Sequence, residues 1–365
     1  MAAEGLAFDS RAAELLEPAM AALPAMVVPS GLVCYEVAEG DSAPRGESVR
    51  YALIVLLGLL RARHAGAAPS IDPDKLRDAI DAALERPEVT PGDVALRLWV
   101  ESRAETGSAN TLVERLDRSL DVNGGLAARE GLELGWIVTA LAVTEDLTAR
   151  GRELRKAALD QLIASNQGPS GLFRHFGEGG ARRRFPNFAT QIYSVLALAV
   201  TAGRGLDARA LPAARRAADR LLALQLPDGG WPWMYDAERG SVVERYEVYS
   251  VHQHGMAPMT LYELSGVSGE ERYAAAGDRG IPWLFGANEL GAQMAPLERG
   301  MTYRSIRRVR PLDRLCLYAN TATAAAIGRS RAGRGRRLEL NRTCRPYELG
   351  WLVEAWAAMN GAAQR

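Results

Sequence analysis

The amino-acid sequence predicts an all-α fold, an α/α toroid of six or seven helical hairpins in two concentric rings. Three observations carry that prediction. The stretch Glu133-Leu134-Gly135-Trp136-Ile137-Val138-Thr139-Ala140 returns 215 positions later as Glu348-Leu349-Gly350-Trp351-Leu352-Val353-Glu354-Ala355, with six of eight positions identical. Self-similarity at a distance marks one supersecondary unit used several times. Weaker echoes, Tyr193-Ser194-Val195 and Tyr249-Ser250-Val251, lie 56 residues apart, which sets a unit of roughly 50 to 60 residues, two helices and two loops. Finally, helical periodicity dominates while β-branched alternation is nearly absent, and polar-faced helices take turns with apolar ones, as an outer and an inner ring require.

In chain order, the polar-faced outer helices are predicted at Ser10 to Ala22, Asp74 to Leu84, Thr111 to Ser119, Arg152 to Ser165, Pro212 to Leu224 and Glu270 to Phe285. The apolar inner helices are predicted at Ser48 to Ala62, Asp93 to Ser102, Gly131 to Val143, Asn187 to Thr201, Glu247 to Leu264, Ala319 to Ile327 and Tyr347 to Met359. The repeat argues for one toroid domain over residues 1–365. Segments leading from an outer to an inner helix, notably Asn166 to Pro186, Pro227 to Tyr246 and Leu297 to Asp313, are long and rich in Gly, Arg and aromatics. Such loops on one face of a rigid scaffold are where binding and chemistry concentrate.

Composition narrows the function classes. The apolar fraction of 48% supplies an ample core, and 44 basic residues balance 44 acidic ones. No global charge therefore attracts nucleic acid or an anionic membrane. Lys75 and Lys156 are the only lysines, so the arginine excess is a bias of the whole chain. Cys34, Cys316 and Cys344 are odd in number and widely spaced, which favours a reducing compartment over a disulfide framework. Met1 to Ser10 lacks the pattern of a signal peptide, and the longest apolar run, Ala52 to Leu60, is far short of the roughly 20 residues a bilayer needs. A cytoplasmic location without a transmembrane segment is the expectation.

Gln225-Leu226-Pro227-Asp228-Gly229-Gly230-Trp231 closes an outer helix with strong turn chemistry and sets a tryptophan against the next element. The motif resembles the Gln-x-x-Asp-Gly-x-Trp repeat of the terpenoid cyclase and protein prenyltransferase toroids. The Gly-Gly-Trp-Pro turn is also similar to those of toroidal polysaccharide lyases and epimerases. That resemblance implies the toroid architecture, with Gln225, Asp228 and Trp231 stapling adjacent hairpins. The chemistry of the cyclases is missing from the sequence: neither Asp-x-Asp-Asp nor Asp-Asp-x-x-Asp occurs. Asp313 and Cys316 match part of a prenyltransferase zinc set, but no histidine follows His254.

The polar clusters give the candidate site. In Glu244 to His254, a helix would stack Arg245, Tyr249 and His252 on one face with Gln253 beside them, and Glu247 is a further catalytic candidate of the cluster. His252 and His254 would then lie about 200° apart around that helix, so they would not chelate one metal. A second cluster brings Arg174, His175, Asn187, Gln191 and Tyr193, and the three arginines Arg182, Arg183 and Arg184. Tyr303 and Arg304, with Arg345 and Tyr347, form a third. Trp231 and Trp233 add flat platforms. Glu133 and Glu348 open equivalent repeats as helix caps. This mouth is wet, cationic and aromatic, suited to a sugar with an acidic group. The leading expectation is an enzyme acting on an acidic, uronate-like glycan by epimerisation or β-elimination. In it Arg245 or Arg304 neutralises the carboxylate, Tyr249 and His252 act as base and acid, and no cofactor or metal is used. Two alternatives stay open: an isoprenoid enzyme of the cyclase or prenyltransferase type, and a non-catalytic glycan-binding protein.

Overall fold

A computed structural model describes residues 10–41, 43–179, 181–309, 312–327 and 337–363. The chain begins with α1 (Ser10–Ala13), α2 (Leu16–Ala22) and β1 (Val37–Ala38), then continues through α3 (Val49–His64), α4 (Pro73–Ala83), α5 (Pro91–Ala104), α6 (Ala109–Val122), α7 (Gly131–Val143) and α8 (Ala149–Asp160). Next come α9 (Phe188–Gly203), α10 (Ala210–Leu224), the hairpin of β2 (Met234–Asp236) and β3 (Ser241–Glu244), β4 (Val248–Tyr249), α11 (Ala257–Ser268), α12 (Glu271–Asp278) and α13 (Ile281–Leu284). β5 (Ser305–Arg308), α14 (Leu312–Ile327), β6 (Leu338–Asn341), β7 (Thr343–Cys344) and α15 (Pro346–Ala363) complete it.

The architecture is an α/α toroid. Helices α3, α5, α7, α9 and α11 pack in sequence, and α15 closes the inner ring by packing on α3 and on the turn that opens α11. Outside them α4, α6, α8, α10 and α12 each pack on the preceding inner helix, and α2 packs on α15. Burial follows the sequence pattern: α3 is buried almost all round from Ala52 to Leu60, whereas α4 buries only the stripe of Leu76, Ile80 and Ala83.

The repeated Glu-Leu-Gly-Trp segment has a steric reason. A Cβ on Gly135 would stand 2.9 Å from the Tyr193 carbonyl, and one on Gly350 would stand 2.9 Å from the Ile54 carbonyl oxygen. Each glycine therefore lets its helix approach its neighbour backbone to side, α7 on α9 and α15 on α3. These are the third and sixth inner helices, on opposite sides of the ring.

The motif at Gln225 is one of three equivalent turns. Val28-Pro29-Ser30-Gly31-Leu32, Gly168-Pro169-Ser170-Gly171-Leu172 and Leu226-Pro227-Asp228-Gly229-Gly230 all close with the fourth residue's N–H on the first residue's carbonyl. In each the first residue's N–H also donates to the fifth residue's carbonyl, and the glycine has φ of +83°, +91° or +85°. Gln225 donates to the carbonyls of Gly229 and Ala276, both at 2.9 Å, and accepts from Arg279 at 2.6 Å. Gln167 repeats the arrangement with Gly171 at 3.0 Å, Ala213 at 2.9 Å and Arg216 at 2.5 Å. The motif staples a turn to the next outer hairpin.

Several predicted boundaries differ from the structure. Ser10 to Ala22 breaks between α1 and α2, and Glu270 to Phe285 breaks ahead of Pro282, which lacks the N–H a continuous helix needs. Ala319 to Ile327 belongs to α14, which packs on β3 and β5 outside the ring and exposes Leu315, Tyr318 and Ile327. The toroid thus has six hairpins. Glu247 does not open a helix: residues 248–249 are β4, and the helix starts as a π-helical turn, His252–Met256. Pro258 accounts for that turn. It has no N–H to give the His254 carbonyl four residues back, and Trp356 Nε1 donates to that carbonyl instead, at 2.6 Å.

Candidate active site

The N-termini of the inner helices gather at one end of the ring, and local sheet structure decides which side chains meet there. β4, β5 and β6 form an antiparallel sheet in which Tyr249 pairs with Ser305, and Ser305 with Asn341. The Ser250 N–H donates to the Arg304 carbonyl at 2.9 Å, and the Arg304 N–H is shared between the carbonyls of Asn341 and Thr343. β7 runs directly into α15. Arg304 is thereby fixed between the entry to α11, which carries Tyr249 and His252, and the entry to α15, which carries Tyr347 and Glu348.

The resulting cluster is tight. The Arg304 guanidinium lies 4.9 Å from the ring centre of Tyr249 and 6.0 Å from that of Tyr347. It donates to Glu348 Oε1 at 2.5 Å and contacts the Tyr347 hydroxyl at 3.4 Å. The Tyr249 ring is 5.1 Å from His252 and 5.1 Å from Trp233, and Trp233 and His252 are parallel within 6°. Phe188 backs His252 at 4.5 Å. Glu247, just ahead of β4, accepts from Ser305 Oγ at 2.6 Å. Aromatic contacts continue outward from Tyr347 to Tyr51 at 4.7 Å and from Tyr51 to Tyr35 at 5.5 Å. Arg345 lies over Tyr35 at 4.2 Å and donates to the Tyr51 hydroxyl at 2.9 Å.

Electrostatics assign protonation states. Burial, helped by the Arg304 charge, holds the His252 imidazolium well below its usual range, so the ring is neutral, and its Nδ1 is buried without a hydrogen-bond partner. Burial, with the Glu247 charge, raises the Tyr249 phenol far above its ordinary value. Burial also pushes Glu348 up to about 7, against the opposing pull of Arg304.

The other half of the mouth is braced by charge. Arg50, near the start of α3, holds Asp93 through Nε at 2.7 Å and Nη2 at 3.2 Å, and reaches Thr90 at 2.9 Å and Glu133 at 3.2 Å. Glu133 also accepts from Thr90 Oγ1 at 2.6 Å. It ties α3, α5 and α7 together instead of capping its own helix. Beside it, His175 stands 3.6 Å from Glu130 and 3.5 Å from Thr190 Oγ1, with Nε2 buried. Below, Trp136, Tyr193, Trp351 and Trp99 form a chain of ring contacts at 5.3, 5.7 and 5.8 Å, which floors the barrel axis.

The structure brings together Tyr249, His252, Glu247, Trp233, Arg304, Tyr347 and Arg345 on one wall, with His175 at the neighbouring entry to α7. It separates others. Arg245 sits on an extended segment, not on a helix face with Tyr249 and His252, and is held by Asp228 and Glu289, each at 2.7 Å. Arg174 is held by Glu238 at 2.7 Å and by the Ser165 carbonyl. Gln191 is fully buried and bonds both the N–H and the carbonyl of Phe173. Asn187 caps α9 by accepting from the Thr190 N–H at 2.9 Å. Trp231 is buried against Phe188, and Tyr193 belongs to the floor. Tyr303 points to Glu39, with 2.7 Å from its hydroxyl to Oε1. Of the three consecutive arginines, Arg184 pairs with Asp236 at 2.5 Å, and only Arg182 approaches the mouth, 4.0 Å from Glu130. Of the site residues that sequence reasoning missed, Arg50, Tyr51, Asp93 and Glu130 sit at or just ahead of inner-helix N-termini, a position legible from the repeat, whereas Tyr35 comes from the segment ahead of β1. Among the described residues no group of three His, Cys, Asp or Glu side chains is arranged to hold a metal ion, and no helix is long and apolar enough to cross a membrane.

No known family matches the sequence, and no curated protein matches it. Solved structures share its fold. A D-mannose isomerase aligns with a TM-score of 0.66 at 12% identity, over 99% of this chain and 100% of its own. The cellobiose 2-epimerase of Bacillus thermoamylovorans B4167 aligns at 0.57 and 11% identity, over 96% of this chain and 98% of its own. A family 88 glycosyl hydrolase from Bacteroides vulgatus aligns at 0.57 and 13%, over 95% and 98%. At these identities the likeness establishes the α/α toroid.

Proposed function

We propose that the protein is an enzyme acting on an acidic, uronate-bearing sugar or glycan by removing the proton beside the carboxylate, with epimerisation or β-elimination as the outcome. The observation that carries this reading is the meeting of Arg304, Tyr249, His252 and Trp233 at one wall of the mouth. A guanidinium that binds the carboxylate stabilises the negative charge that develops on it when the adjacent C–H is broken. Trp233 offers a face on which a sugar ring stacks. The directions of the two pKa shifts support one assignment: neutral His252 accepts the proton, and Tyr249, held as a phenol on the same wall, donates one to the departing glycosidic oxygen in elimination, while epimerisation takes its returning proton from water on the open side of the mouth. This reverses the assignment expected from residue types alone. That structures sharing the fold include an isomerase and an epimerase of sugars adds support.

A second reading keeps the proton abstraction but places it beside the carbonyl of a neutral aldose. It is favoured by the pairing of Arg304 with Glu348, which leaves the cation already balanced in the free protein. One experiment separates the two. In deuterated buffer, proton NMR follows the carbon-bound hydrogens of uronate oligosaccharides and of neutral aldoses, with prenyl diphosphates as a thermal-shift control. Exchange beside the uronate carboxylate supports the first reading, and exchange beside the aldose carbonyl alone replaces it with the second. Exchange in neither, with prenyl diphosphates stabilising the fold, returns the isoprenoid alternative. The variants Tyr249→Phe and His252→Asn lower turnover by about 10²- to 10⁴-fold if the roles are right.

A further inference from the structure

We infer that the Arg304–Glu348 pair couples substrate binding to proton uptake: a substrate carboxylate that engages Arg304 releases Glu348 from its ion pair, and Glu348 takes a proton from solvent. This rests on the acidic-substrate reading above. The geometry favours the exchange. Among the described residues Glu348 is the carboxylate within ion-pair distance of Arg304, at 2.5 Å. The Arg304 side chain is 11% exposed and faces the mouth, whereas that of Glu348 is fully buried. A second carboxylate arriving at Arg304 would leave two buried anions on one cation, which is costly in a medium of low dielectric. Protonating the buried member removes that cost.

The surroundings leave Glu348 as the group that responds. Its Oε2 accepts from the Arg345 N–H at 3.3 Å, which a protonated carboxyl retains. Tyr347 on its own helix and Tyr51 on α3 are phenols pushed upward, the first to about 12, and burial raises the Cys344 thiol as well. From the π-helical turn, burial holds His252 well below its usual range and His254 down at about 3. Glu348, already near 7 with Arg304 opposite it, rises further once that charge is shared. The result is a carboxylic O–H beside Arg304, present only when the substrate is bound.

Isothermal titration calorimetry of the full chain with a uronate oligosaccharide, in buffers of different ionisation enthalpy, counts the protons. Near pH 8 the expected uptake is close to one proton per bound ligand, falling to about zero near pH 5.5, where Glu348 is already protonated. His252→Asn keeps the uptake and Glu348→Gln abolishes it. If Glu348→Gln does not fold, the pH profile of the unsubstituted protein still decides. Binding without proton uptake near pH 8, or uptake lost in His252→Asn, overturns the inference and leaves the proposed function standing. Absence of any uronate binding overturns the proposed function and the inference with it.

Discussion

At the scale of single residues, the mouth shows how burial sorts chemically similar groups into different tasks. His252 and His254 are two positions apart, yet one faces the aromatic wall and the other lies in the core, where Thr302 stands 3.4 Å from its Nε2. Glu348 carries a pH signature that distinguishes it from both. Its folded pKa, about 7, lies above the ordinary 4.5, so between those values the folded protein keeps a proton that the unfolded chain has lost. Its contribution to stability is complete below pH 4.5 and declines as pH rises through 7, by a total on the order of 3 kcal/mol. The depressed histidines act with the opposite sign, losing stability as pH falls below about 6.5. Glu348→Gln should therefore gain stability relative to the unsubstituted protein as pH is raised from about 5 to about 8. Urea titrations at both values measure this, and a pH-independent difference would show that Glu348 is ionised throughout. The residue types at the site were legible in the sequence, but their sorting was not. Arg245 and Arg304 look alike until Asp228 and Glu289 claim the first, and those partners are set by packing across hairpins.

At the scale of elements, the repeating helices were legible because periodicity and a returning Gly-Trp are local signals. The short strands β4, β5 and β6 were not. Two to four residues give no alternation to read, and their partners are far apart in sequence, as Tyr249 with Ser305 and Ser305 with Asn341 show. That omission hid why Arg304 reaches Tyr249. The turn motif was seen once, at Gln225, because its other copies replace Asp-Gly-Gly with Ser-Gly-Leu, and only the shared hydrogen bonds reveal the set. Glycines of positive φ are constrained unequally, inside this motif and outside it. At Gly229, φ is +85° and a Cβ would overlap the Arg279 carbonyl oxygen, whereas at Gly66, φ is +89° with nothing within 4 Å. Gly66→Ala should cost about 1 kcal/mol, the strain of the left-handed backbone alone, and Gly229→Ala about 3 kcal/mol or more because backbone must move as well. Equal losses in denaturant unfolding would mean that the turn does not dock on the next hairpin as tightly as described.

At the scale of the whole molecule, the closed ring makes the mouth a collective property. Each inner helix supplies one N-terminus to the site and is held by two neighbours, so no wall is independent of the seam opposite it. The seams at Gly135 and Gly350 test this, because both glycines face backbone at 2.9 Å on opposite sides of the ring. Gly135→Val and Gly350→Val should each destabilise by about 2 to 4 kcal/mol, since the added side chain meets backbone that cannot repack by changing rotamers. If the ring unfolds as one unit, both variants keep a single transition in which tryptophan fluorescence, to which the axial Trp136, Trp351 and Trp99 contribute, coincides with helical circular dichroism. Gly350→Val strains the α15–α3 seam, which joins the last inner helix to the first, so it is the more demanding case. A fluorescence change preceding the loss of helix in that variant alone would show a ring that opens at its closure before it unfolds. Arg304, Tyr347 and Tyr51 lie above that seam, and ligand binding would then be lost with the opening while α5, α7 and α9 remained folded.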